Sequence, residues 1–182
     1  MKKHFSEIGE RRVALAFPLS ALEETEEKLG SLQEVTDKLQ ETDVKTIFLL
    51  ADIMIRHAAR IEDTPAPMSE VEVAQQIGLK QIIQLSADLL MTLDDWMHMD
   101  HNQGQGSRVI DVTLEELDRA EGKKTGLLYR TILAYGLIAG ISYTEMQRMA
   151  PGLICDCYIT RRDYDDQQHG IKRKFGNSGG ED

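Results

Sequence analysis

The feature that most constrains this chain is a four-residue spacing that recurs along it. A serine or threonine stands three positions before a glutamate in Ser20-Ala-Leu-Glu23, Ser31-Leu-Gln-Glu34, Ser69-Glu-Val-Glu72, Thr113-Leu-Glu-Glu116 and Ser142-Tyr-Thr-Glu145. In a capping box of this kind the hydroxyl accepts a hydrogen bond from a free amide at the helix start, and the carboxylate reaches back to the capping residue's own amide. Each of the five opens a stretch whose apolar residues recur at helical spacing, so they predict a chain built mainly of helices. Gly30, Gly78 and Gly140 fall where the ends of such helices are expected.

Residues 4–17 break the pattern. Gly9-Glu10 lies between Phe5/Ile8 and the alternating Val13, Leu15 and Phe17, which predicts a short hairpin that Pro18 terminates. Residues 44–61 carry Ile47, Leu50, Met54, Ala58 and Ile61 at helical spacing, widened by Ile53 and Ile55, and predict a central buried helix. Helices are expected over 70–77, 79–97, 114–120, 123–139, 143–149 and 153–166. The polar, glycine-bearing run from Asp100 to Ser107 reads as a linker. The predicted organisation is therefore a mainly α protein. A helical bundle with a short N-terminal β-hairpin (1–99) is followed by a flexible linker (100–112), a small helical C-terminal unit (113–170) and a disordered tail (171–182).

Composition narrows the function classes. Apolar residues make up 41%, enough for a core, while aromatics are only 5%. The formal net charge is -10, and residues 13–121 hold 8 Lys/Arg against 22 Asp/Glu. An acidic body repels phosphate backbones, so no nucleic-acid partner is expected. No run approaches the roughly 20 apolar residues of a membrane span, and no apolar stretch follows the charged N-terminus as in a signal peptide. A cytoplasmic protein with no membrane partner is expected. Cys155 and Cys157, two positions apart and without a third cysteine, fit a reducing compartment.

Three constellations bear on chemistry. Asp94, Asp95, His98, Asp100 and His101 are the densest group of potential metal ligands, and Asp94 and His98 share a helix face. The last members fall in the linker, whereas a metal site needs ligands on rigid elements with supporting partners. The group is read as a solvated helix end, with a metal-dependent enzyme as the rival. Gly122-Lys-Lys-Thr125 lacks the leading glycine of a phosphate-binding loop, because Leu117 stands in its place. Residues 69–90 have the spacing of a helix-turn-helix, which makes a small DNA-binding regulator the alternative function. The second helix, however, carries a single lysine, Lys80, and lacks a basic face. No nucleophile motif is present, so neither catalytic residues, a metal nor a cofactor is expected. The methionines Met91, Met97, Met99, Met146 and Met149 read as core filler before they read as an adaptable binding surface.

Two stretches resemble the tail assembly chaperone family of tailed phages. One is the hairpin followed by Phe17-Pro-Leu-Ser-Ala-Leu-Glu-Glu-Thr-Glu-Glu-Lys-Leu-Gly30. The other is Leu127-Leu-Tyr-Arg, Tyr135, Ala139-Gly-Ile-Ser-Tyr-Thr-Glu-Met146, Met149-Ala-Pro-Gly-Leu153 and Tyr158. The order resembles the longer, C-terminally extended form that the family often makes by ribosomal frameshifting. The resemblance implies a non-catalytic protein that binds the tape measure protein, helps recruit tail tube subunits, works in the host cytoplasm and is absent from the mature virion. Self-association is left open. Partner-binding residues are expected at Tyr143, Met146, Met149, Pro151, Leu153 and Tyr158, which match the C-terminal pattern and could offer apolar surface to another protein's helix.

Overall fold

A computed structural model describes residues 4–97 and 127–171. Within them the chain is mainly helical and opens with a two-stranded antiparallel hairpin. Strands β1 (His4–Ile8) and β2 (Arg11–Leu15) pair in the register His4↔Leu15 to Ile8↔Arg11. The connecting Gly9-Glu10 has positive φ at the glycine alone, 61°, which is the requirement of a II′ turn. The pleat sorts the side chains: His4, Ser6, Ile8, Val13 and Leu15 face inward. Phe5 faces outward, where the Arg12 guanidinium covers its ring at 4.3 Å.

Helices α1 (Leu19–Leu29), α2 (Leu32–Gln40) and α3 (Val44–Ile61) follow, then α4 (Glu70–Gln76) and α5 (Leu79–Met97). The expected central helix is α3. Its Ile47, Leu50, Ala51, Ile53, Met54 and Ile55 are fully buried, and it packs against β2, α1, α2, α4 and α5. Helix α5 lies along β1 and is fastened there by residues seven apart, which return to one helix face. Asp95 meets His4 Nε2 at 2.7 Å, Asp88 accepts from Ser6 Oγ at 2.6 Å, and Gln81 donates to the Gly9 carbonyl at 3.4 Å.

Beyond residue 126 come α6 (Leu127–Ala139), α7 (Tyr143–Met146) and α8 (Pro151–Gln168). Helix α6 ends in a Schellman motif: Gly140 has φ 84°, its amide donates to Leu137 O, and the Ile141 amide donates to Gly136 O. Pro151 occupies the first turn of α8, where a missing amide costs nothing. Gly136 is where α6 meets its neighbours most closely; a Cβ there would fall inside the Met146 thioether and 3.0 Å from Ile154 Cγ2. One apolar cluster runs from Ile8 through α3 and α5 to Ile132, Met146 and Ile154.

Capping boxes form at Ser31/Glu34, Ser69/Glu72 and Ser142/Glu145. The one expected at Ser20/Glu23 does not. Helix α1 begins at Leu19 with Pro18 as its cap, so Ser20 already lies inside the first turn. Its hydroxyl is directed to Gln147 O at 2.8 Å and His57 Nδ1 at 3.0 Å instead. Tertiary partners have taken the side chain that local sequence assigned to the cap. The box at Thr113/Glu116, the helix over 114–120, the start of the one over 123–139, the linker at 100–112 and the tail beyond Ile171 lie outside the described residues.

The first turn of α6 is capped from another helix. The buried Glu26 of α1 accepts the Tyr129 amide at 3.0 Å, and the Leu128 amide points to the same carboxylate. Glu26→Ala strands buried amides and is expected to lower unfolding stability by about 1–3 kcal/mol, measured by urea titration. Glu26→Gln, which keeps an acceptor, is expected to recover most of the loss.

Candidate functional site

The residues matched to the C-terminal pattern divide by burial. Met146 and Pro151 belong to the core, Met149 and Tyr158 are half-buried, and Tyr143 and Leu153 are exposed. Met146 is held between α6 and α8, against Gly136. The Tyr158 ring stacks on Tyr135 with centroids 4.3 Å apart and planes 8° from parallel, joining α8 to α6. Helix α8 is therefore packed against α6. Near that contact, Leu137 and Ile138 at the end of α6, Tyr143 at the start of α7 and Leu153 in the first turn of α8 are exposed, as are Tyr164 and Ile171 further along the chain. Each of the first four lies within three residues of Gly136, Met146 or Ile154, which meet one another. Leu137 and Ile138 carry no sequence mark that sets them apart from the buried apolar residues of α6.

A second cluster ties this part to the N-terminal helices. His57 of α3 is only 2% exposed. Its Nε2 lies 3.0 Å from Glu24 Oε2, and its Nδ1 lies 3.0 Å from Ser20 Oγ. Glu24 also receives both terminal nitrogens of Arg56, at 2.7 and 3.2 Å, and Lys28 at 2.7 Å. Asp52 takes the Arg56 Nε at 2.8 Å. Burial alone would raise the Glu24 pKa, but hydrogen bonds from Arg56, Lys28 and His57 outweigh it and hold the carboxyl well below the usual range. Burial lowers the pKa of His57 against the opposing pull of Glu24, with Arg60 and Arg56 adding repulsion.

Serine, histidine and glutamate thus stand in line, and the line links α1 and α3 to the segment before α8. The Leu19 amide is bonded to Met149 O and the Ala21 amide to Pro18 O, so neither is turned toward an oxyanion. The carboxylate is already saturated by Arg56 and Lys28, which weakens its support for a basic imidazole. Sequence gave little sign of this cluster. The pairs Glu24/Lys28 and Asp52/Arg56 are visible as i,i+4 partners, but only packing of α1 on α3 brings them together.

The other constellations resolve in part. Asp95 is engaged with His4, while His98, Asp100 and His101 lie outside the described residues. Among the described residues no three His, Cys, Asp or Glu side chains gather around a common point. Cys155 is buried and Cys157 half-buried, and neither is in a disulfide. Burial pushes the Cys155 thiol up to about 12, so it stays protonated at neutral pH. The outward face of α5 presents Ile83, Ala87 and Met91 with Lys80 as its only cation. No helix among the described residues is long and apolar enough to cross a membrane. Compared with protein-family models, with curated proteins and with solved structures, the chain matches none of them.

The sign of the pH dependence follows from His57. Its folded pKa lies below 6.5, so the unfolded chain binds more protons as the pH falls through that value, and stability declines. Urea unfolding is expected to show full His57-dependent stability above about pH 7 and a loss toward pH 5, at no more than about 1.4 kcal/mol per pH unit from this one group. In His57→Gln that part of the slope should vanish. Loss of the Glu24 contribution follows only at lower pH, below its ordinary 4.5.

Proposed function

We propose that this chain is a non-catalytic tail assembly chaperone of a tailed phage. It binds the tape measure protein and helps recruit tail tube subunits, acting in the host cytoplasm and staying out of the finished particle. The observation that carries the reading is the resemblance of the two stretches, Phe17 to Gly30 after the hairpin and Leu127 to Tyr158, to that family. The hairpin, acidic α1 and compact C-terminal helices supply the kind of scaffold such a role uses.

Surface chemistry supports the same reading. Tyr143 is 52% and Leu153 39% exposed, and Leu137 and Ile138 of α6 are exposed as well. Apolar side chains in this setting offer a place for an amphipathic helix to lie. The net charge of -10 favours solubility while copies coat a long apolar partner. Many weak contacts along one partner then add through multivalency.

Co-expression with a candidate tape measure protein, followed by size-exclusion chromatography, tests the proposal. The expected result is a partner that is soluble only with this chain and co-elutes with several copies of it. Tyr143→Asp and Leu153→Asp, both at exposed positions, should cut the co-eluting amount several-fold while circular dichroism stays unchanged. Met146→Asp is a poor probe, because it buries a charge in the core and is expected to unfold the C-terminal helices. A partner whose solubility and elution ignore this chain would overturn the proposal.

A further inference from the structure

Helix α5 has three faces. Leu85, Leu89 and Trp96 point into the core. Gln81, Asp88 and Asp95 meet the hairpin. The third face carries Lys80, Ile83, Ala87, Met91 and Asp94, all exposed, which fall along one line at 100° per residue. Ile83 is 65% and Met91 57% exposed, high values for large apolar side chains in the middle of a long helix.

The line is a chemical palindrome. Four residues either side of Ala87 stand apolar Ile83 and Met91, and seven residues either side stand Lys80 and Asp94, of opposite charge. We propose that two copies of this chain dock through this face, with their α5 helices antiparallel about a twofold axis at Ala87. Such an axis sets Ile83 of each copy over Met91 of the other, and Lys80 of each against Asp94 of the other. It is the self-complementary arrangement that a twofold interface demands. The small Ala87 sits at the crossing point and lets the helices approach. A parallel pairing would place lysine on lysine and aspartate on aspartate, so the charges select the antiparallel one. An unrelated partner helix would call for no such mirrored spacing, which is why the occupant is a second copy.

One helix face per copy is a small interface, of the class below about 1,200 Å² that exchanges readily. The dimer is therefore concentration-dependent. It does not rest on the chaperone reading, although a dimer would carry two C-terminal faces.

Sedimentation velocity on the full chain over a concentration series provides the test. The expected result is a mass rising from monomer toward dimer. Ile83→Glu should raise the dissociation constant about tenfold or more, with helicity unchanged. Lys80→Glu and Asp94→Lys should each weaken the dimer, and the double variant should recover most of the loss. The proposal is overturned by a chain that stays monomeric throughout, by a dimer indifferent to Ile83→Glu, or by a charge-swapped double variant no tighter than either single one.

Discussion

Helix α1 is the element on which the rest of the molecule hangs. Its apolar side, Leu19, Ala21 and Leu22, is fully buried, while its polar side supplies fastenings at both ends. The Leu19 amide donates to Met149 O and the Ser20 hydroxyl reaches Gln147 O, so the segment before α8 is held at the start of α1. Seven residues further on, Glu26 caps α6. In the middle, Glu24 anchors α3 through Arg56 and His57. A single eleven-residue helix thus joins the N-terminal bundle to the C-terminal helices, with polar contacts that a greasy interface alone would not orient.

Polar groups at this junction are not an extravagance, because Ser20, Glu24 and Glu26 each have a partner. Leaving a buried carboxylate or amide without a partner costs more than a well-made hydrogen bond returns. Glu26 is 3% exposed, and burial pushes its pKa up although two backbone amides pull it down. Such a group tolerates few alternative placements of α6. The apolar cluster supplies most of the cohesion, and the carboxylate fixes which way the helices meet.

How much of this was legible in the sequence depends on how local each feature is. The hairpin, the boxes at Ser31, Ser69 and Ser142, and the extents of α3 and α5 are settled by residues within a few positions of one another, and the sequence patterns marked them. Ser20 misled because a residue 127 positions away competes for its hydroxyl. The Glu26 cap and the His57–Glu24–Arg56 cluster join residues 103, 33 and 32 positions apart, and no short window holds both halves. For the partner-binding residues expected between Tyr143 and Tyr158 the pattern could not sort exposed side chains from buried ones. Met146 and Tyr143 share one short helix, yet Met146 is sealed against Gly136 while Tyr143 meets solvent.

The Ser20 hydroxyl has one hydrogen and two acceptors within reach, Gln147 O at 2.8 Å and the imidazole Nδ1 at 3.0 Å. With His57 neutral and its Nε2–H given to Glu24, those two acceptors compete for that hydrogen. A proton added to the imidazole ends the competition, because Nδ1 then becomes a donor to the serine oxygen and the hydroxyl is released wholly to the carbonyl. Acid therefore has two opposed effects in the same few ångströms. It lowers the stability of the fold as a whole, and it completes the chain of hydrogen bonds running from Glu24 through the ring and the hydroxyl to the backbone ahead of α8.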